Sequence, residues 1–156
     1  MNKPVEIAQL ELNNLDLDDQ RVGCARAAWR TLAVVPTRAD LSAMWFADAL
    51  VHRCNASSPG RAKLFSGERL SREGALRLIS EMASWVEAGG RAVVAIEAMS
   101  GKRSGAPIAQ ASDGVLLCVH LGVSTSDDAK RAISAIGRER FIGAATIEHG
   151  RAGKRP

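Results

Sequence analysis

Five segments along the chain have the length and boundaries of strands, and the clearest of them are continuous apolar runs. They lie at residues 31–35, 61–67, 91–98, 113–122 and 140–150, and segments of helical periodicity separate them. Continuous apolar runs are typical of strands covered on both faces, and alternation with helices favours parallel pairing. The pattern predicts an α/β fold in three layers, with a mostly parallel sheet of about five strands between helices.

Two of the helical segments carry clear candidates for the residue that caps the amino end. In residues 39–54, Asp40 is suited to cap the helix. In residues 124–137, Ser124 or Ser126 can do so, with acidic side chains in the first turn.

The helical segment at residues 71–90 begins at Ser71 and ends on paired glycines. An apolar stripe at three-residue spacing predicts the face that packs on the sheet: Leu76, Ile79, Met82 and Trp85.

Length and composition fit one globular domain with polar ends. The 156 residues are 46% hydrophobic and 24% charged, which are globular values. We expect a loosely ordered leader at residues 1–20, one domain at 21–150 and a basic tail at 151–156. No apolar run approaches a membrane span, and the leader lacks the order of a signal peptide. We therefore expect a cytoplasmic protein.

Charge and cysteine content exclude few functions but favour simple interpretations. The net charge is +4, with acidic residues gathered in the leader and three basic residues in the tail, and no aromatic residues stand among these charges. This favours a solvated tail over nucleic-acid binding. The three cysteines show no CxxC spacing, which argues against a disulfide framework or a zinc site and favours reduced thiols.

Candidate chemistry lies where strands end. The loop SGKRSG at residues 100–105 contains Lys102 but lacks the GxxxxGK[ST] spacing of a phosphate loop, so a flexible loop is favoured over an anion-contacting one. Glu97 closes the third strand, where a carboxylate could hold Mg²⁺, and His120 ends the fourth strand, where side chains line sites. No serine stands in a G-x-S-x-G setting, so a hydrolase triad has no support.

Residues 111–147 match, at several positions, a recurring form that consists of an A-D-G-V strand, a G-x-T-x-x-x-D turn, a helix and an I-L-G strand. This segment resembles the end of the P-loop ATPase domain of bacterial tyrosine kinases in capsule and exopolysaccharide synthesis, within the MinD/ParA-like superfamily. The matching positions are Asp113, Gly114, Val115, Gly122, Thr125, Asp128, Ile142 and Gly143.

The resemblance extends by position over residues 25–148. Glu97 is near the position of the Walker B acid. Ser66 and Glu68 fall on the two acidic positions of the family's second acidic motif.

The departures from the family concern the phosphate loop. Ser42, Ala43 and Met44 stand where the family has Gly, Lys and Thr, and no lysine occurs between Lys3 and Lys63. Without glycine the backbone resists wrapping phosphates, and without lysine and threonine the phosphate charge and Mg²⁺ lose their partners. The chain also has no tyrosine to autophosphorylate. The loop is a phosphate loop by position but not by chemistry.

The resemblance therefore implies a non-catalytic pseudo-kinase or pseudo-ATPase that serves as an interaction or regulatory module in bacterial polysaccharide synthesis or export. It implies no catalytic residue, cofactor or metal. Its expected partner is the tail of a membrane co-polymerase or a catalytic paralogue, which would place the protein peripherally at the inner membrane, and homo-oligomerisation stays open. The expected vestigial nucleotide or partner face comprises Arg38, Asp40, Ser42, Ser66, Glu68, Glu97, Lys102, His120 and Thr125.

Two alternatives remain from the sequence. One is a nucleotide-binding or phosphotransfer enzyme that uses Lys102 and Glu97. The other is a ParA/MinD-like partition or positioning factor that uses the basic tail, which would show as salt-sensitive DNA binding.

Overall fold

A computed structural model of the protein describes residues 29–57, 60–99 and 105–148. Five strands form one sheet in the order β2-β3-β1-β4-β5, and all neighbours are parallel. The predicted α/β class and strand number are confirmed. The strands are β1 (Thr31–Pro36), β2 (Ala62–Gly67), β3 (Arg91–Ile96), β4 (Gly114–Leu121) and β5 (Phe141–Glu148).

Four α-helices connect these strands, as parallel pairing requires. A 3₁₀ turn at Arg138–Arg140 precedes β5. The helices are α1 (Met44–Ser57), α2 (Arg72–Glu87), α3 (Gly105–Ala111) and α4 (Ser126–Ile136). None of these helices combines the length and the apolar composition that crossing a membrane requires.

The sheet separates two apolar cores. Alternate residues of β1 point to opposite faces, so Leu32 and Val34 pack with α1 while Ala33 and Val35 pack with α2, α3 and α4. This distribution of one helix against three gives the predicted three-layer arrangement.

The caps of α1 and α4 differ from the sequence expectation. Asp40 does not cap α1, which begins at Met44. Ser42 Oγ accepts a hydrogen bond from the Met44 N–H at 3.1 Å. Thr125, rather than a neighbouring serine, caps α4 through a reciprocal capping box with Asp128. The acidic first turn is as expected, but its register is shifted by one residue.

The apolar stripe predicted on α2 is wrong in part. The buried residues are Ala75, Leu78 and Met82, whereas the Leu76 side chain is 57% exposed. Positions i, i+3 and i+7 share one helical face, and Leu76 is rotated by about 100° from Ala75.

Two cysteines lie in the described part of the chain. Cys118 on β4 is free and fully buried, and burial raises the pKa of its thiol. Cys54 on α1 is disulfide-bonded, so the expectation of reduced thiols is wrong for this residue. The predicted leader and basic tail, together with Lys102, lie outside the described residues.

Candidate functional site

The connections around β1 create a crevice at the carboxyl edge of the sheet. The chain leaves β1 towards α1 on one face and leaves the neighbouring strand β4 towards α4 on the other. Ligand sites of open α/β sheets lie outside the carboxyl ends of strands at such a reversal. A pocket of about 450 Å³ occupies this place. Its lining comprises Thr37, Arg38, Ala39, Asp40, Met99, Asp128, Arg131 and Ala132.

The β1–α1 loop, residues 37–43, has a backbone that does not form an anion cradle. None of its residues has positive φ, and the Leu41 N–H is engaged in a turn with the Arg38 carbonyl at 3.1 Å. One common kind of cradle for anions places a left-handed residue beside a right-handed one, so that successive N–H groups converge. The loop lacks this arrangement, in addition to lacking glycine and lysine.

Arg38 is held by groups of the protein itself. Its Nε and Nη2 donate to the two carboxylate oxygens of Asp40 at 3.1 and 2.9 Å, and its Nη1 donates to the Val123 carbonyl at 3.2 Å. The first contact is a bidentate pair within the loop, and the second joins the loop to the β4–α4 connection. Both predicted residues, Arg38 and Asp40, thus line the pocket and fix its wall.

A hydroxyl pair joins β1 to β4 beneath this wall. Thr37 Oγ1 and Ser124 Oγ form a short hydrogen bond, and Ser124 Oγ also accepts from the His120 N–H at 2.9 Å. The sequence placed the loops at residues 36–42 and 120–126 on the expected face but did not predict this contact, because the pair spans 87 positions and follows from no local pattern.

The amino end of α4 forms the opposite wall. The Thr125 N–H donates to Asp128 Oδ2 at 3.0 Å, and Arg131 Nη1 donates to Asp128 Oδ1 at 3.2 Å. The hydrogen bond from the Thr125 backbone, with smaller contributions from the Thr125 hydroxyl and Arg131, lowers the pKa of Asp128. Thr125 was expected at the site from the sequence, whereas Arg131 was not.

Charge in the described pocket lining is balanced. Arg38 and Arg131 supply two positive charges, Asp40 and Asp128 two negative ones, and each guanidinium donates to its own carboxylate. A phosphate would therefore meet no excess positive charge from these residues.

Ser66 and Glu68, at the positions of the family's second acidic motif, lie at the end of β2 and in the turn after it. Ser42 Oγ donates to Glu68 Oε2 at 2.7 Å, which links the β1–α1 loop to the turn after β2. Ser66 is exposed on β2. Arg69, the next residue after Glu68, has φ of 59°, a conformation that is uncommon outside glycine.

Glu97 and His120 were also expected at the site, but they do not line the described pocket. Glu97 is half-buried just beyond the end of β3, and His120 is 1% exposed on the face of the sheet that carries Cys118. Lys102 lies outside the described residues. Within residues 29–57, 60–99 and 105–148, no three His, Cys, Asp or Glu side chains are grouped as metal ligands.

In the described residues, three loops thus form a polar wall whose side chains are hydrogen-bonded to one another and to the backbone. Comparison of the chain with family models, with curated proteins and with solved structures gave no match.

Proposed function

We propose that this protein is a non-catalytic, P-loop-like module that binds a protein partner through the loops at the carboxyl edge of its sheet. The observation that carries the proposal is the β1–α1 loop, residues 37–43, which is closed by its own Arg38–Asp40 pair and has no left-handed residue. The resemblance supplies the P-loop relationship, and the loop geometry supports the loss of nucleotide chemistry.

Backbone conformation, rather than the ion pair, is the larger obstacle to phosphate binding. Arg38 and Asp40 are 40% and 60% exposed, and exposed pairs contribute about 0–1 kcal/mol. A phosphate could displace such a pair. Moving non-glycine residues into the left-handed region costs roughly 1–2 kcal/mol for each residue. A cradle needs at least one such change in addition to breaking the Leu41 turn.

The same contacts favour protein recognition. Ser42 and Arg38 of the loop after β1 donate to the Glu68 side chain after β2 and to the Val123 carbonyl after β4, so the edge is pre-organised. Pre-organised surfaces lose less conformational entropy on binding. The resemblance points to the cytosolic tail of a membrane co-polymerase, or a catalytic paralogue, in polysaccharide synthesis as the partner.

The nucleotide part of the proposal is tested by thermal unfolding with 0 and about 5 mM ATP–Mg²⁺, together with phosphate-release measurements. A ligand at 100 times its Kd adds about 2.7 kcal/mol, or roughly 5–10 °C in a domain of this size. We expect a shift below about 1 °C and no turnover, both for the wild type and for Arg38→Ala, which opens the loop. Saturable stabilisation with turnover that is lost in Glu97→Gln would overturn the proposal.

The partner part is tested by light scattering of mixtures with the co-polymerase tail or the kinase paralogue encoded in the same genome. Arg131→Glu at the pocket should weaken the complex about tenfold or more. Arg77→Glu on α2 makes the same charge change away from the pocket and should not. Equal effects of the two variants would contradict binding at the carboxyl edge.

A further inference from the structure

The outer edge of β2 is a second feature with unused binding groups. Among the described residues, β2 is the edge strand of the sheet and pairs only with β3. The Arg91 N–H donates to the Arg61 carbonyl at 2.6 Å, so the backbone carbonyl of Arg61 points towards β3. The backbone N–H and C=O of Ala62 point away from β3, because the Asn55 side chain accepts from this N–H at 2.9 Å and donates to this carbonyl at 3.0 Å.

Alternation along the strand then assigns the next positions. Residues two apart on a strand share an orientation, so Leu64 and Ser66 turn their N–H and C=O groups outwards as Ala62 does. In the described part of the chain, Asn55 bonds to the outward groups of Ala62, and no side chain bonds to those of Leu64 or Ser66. Two N–H and two C=O groups therefore form a ready template for a further strand.

A cationic, aromatic surface lies beside this template on the α2 side of the sheet. The Lys63 ammonium lies 5.0 Å from the ring centre of Phe65 and 5.3 Å from that of Trp85. These three residues line a shallow pocket of about 350 Å³ with Glu81, Ser84 and Ala88. Lys63 has cation–π partners there, and no carboxylate of the described residues lies within ion-pair distance of it.

Charge along the edge is positive overall. Arg61 precedes Lys63 at the amino end, and Arg69 follows beyond the carboxyl end, all three exposed. Glu81 is the acidic group in the pocket lining, and Glu68 in the adjoining turn already accepts from Ser42. The edge thus has three cations and two carboxylates, and one carboxylate, that of Glu68, already accepts a hydrogen bond. This excess of positive charge favours an acidic partner.

We propose that β2 accepts an extended acidic peptide segment of a partner protein as a sixth strand. Main-chain hydrogen bonds to Leu64 and Ser66 hold the segment, and an acidic side chain on the α2 side reaches Lys63. Strand addition takes its affinity from the backbone and its specificity from alternate side chains. This surface lies at the strand edge, apart from the β1–α1 loop, so the inference does not depend on the proposed function.

The probe is a fluorescently labelled seven-residue peptide of the sequence TVEVEVT, titrated with the full chain at about 50 mM salt and followed by anisotropy. Its glutamates share one face, as the position of Lys63 requires. We expect saturable binding, a loss of about tenfold or more in Lys63→Glu, and no change in Lys130→Glu. Lys130 is exposed on α4, so this control makes the same charge change elsewhere.

The backbone contribution is tested from both partners. Ser66→Pro removes one outward N–H, and proline is tolerated at an edge strand when its N–H would face solvent. A peptide that is N-methylated at alternate residues removes the donors without changing the protein. We expect both changes to abolish binding. A TVKVKVT peptide, which carries lysine in place of glutamate, should not bind either.

Absence of binding at millimolar protein would overturn the inference and would assign Lys63 to guarding the edge against aggregation. Equal losses in Lys63→Glu and Lys130→Glu would overturn it in favour of general charge attraction. Binding that survives N-methylation would exclude strand addition.

Discussion

Gly90 lies in the turn between α2 and β3, where the structure leaves no room for a side chain. A Cβ atom at this position would lie 2.5 Å from Cε2 and 2.8 Å from Cδ1 of the Trp85 indole. Trp85 cannot withdraw freely, because its Nε1 donates to the Arg91 carbonyl at 2.9 Å and its ring packs on the core. Gly90→Ala must therefore displace the indole.

The magnitude follows from three contributions. Overpacking costs roughly 1–3 kcal/mol. Loss of the Trp85–Arg91 hydrogen bond costs about 1 kcal/mol. The lower entropy of an unfolded alanine chain returns roughly 0.5–1 kcal/mol. We expect Gly90→Ala to lower the free energy of unfolding by about 1–3 kcal/mol and the Tm by roughly 3–10 °C.

The assay is urea unfolding followed by circular dichroism, in a double-mutant cycle with Trp85→Leu. Without the indole, Gly90→Ala should cost less than about 0.5 kcal/mol. Gly89→Ala is the control: its φ of 100° makes alanine strained whatever the side chain at 85, so its cost should persist in the Trp85→Leu background. If Gly90→Ala costs the same in both backgrounds, steric conflict with Trp85 is not the cause.

Three further predictions concern other parts of the fold. Asn55→Ala leaves the N–H and C=O of Ala62 without their partners, and we expect a loss of roughly 1–2 kcal/mol by urea unfolding, whereas Arg77→Ala on exposed α2 should change little. Burial raises the pKa of the Cys118 thiol, so peptide mapping after iodoacetamide treatment at pH 8 should show Cys118 unmodified in the native protein and modified in denaturant; native labelling would contradict its burial. The pKa of Asp128 is lowered on folding, so its contribution is present above the unfolded pKa and disappears as pH falls through the folded pKa. The stability difference between wild type and Asp128→Asn should accordingly shrink towards zero in acid, and a difference independent of pH would refute the role of its charge.

Sequence reasoning reached the fold because the strands are continuous apolar runs with clear boundaries. The observed β1 and β3 begin at the predicted residues, Thr31 and Arg91. Strand order was not predicted, since an apolar run records burial but not its neighbour. Local capping was less predictable. Arg38, two residues before Asp40, donates to the Asp40 carboxylate, and α1 begins four residues after Asp40.

Sequence reasoning found part of the pocket for a similar reason. Arg38 and Asp40 are polar residues directly after a buried strand, and this placement puts them at the carboxyl edge. The contact between Thr37 and Ser124 was not predicted, because it depends on how β1 and β4 align, with Pro36 level with Cys118. His120 was placed on the partner face by its position at a strand end, but its alternation on β4 turns it into the protein.

On the proposed P-loop relationship, the surroundings of Ala43 indicate that nucleotide binding at this loop would take more than one substitution. The resemblance places Ala43 at the position of the phosphate-binding lysine, yet its side chain is fully buried in the core beside α1. A lysine there would have to carry its charge into an apolar cluster or move the start of the helix. The loop before it would still lack a left-handed residue. Because the position of the missing lysine and the shape of the loop both oppose phosphate, Ala43→Lys should destabilise the protein without creating ATP binding. A stably folded Ala43→Lys variant that gains ATP-dependent stabilisation would show that the loop is closed by its side chains alone.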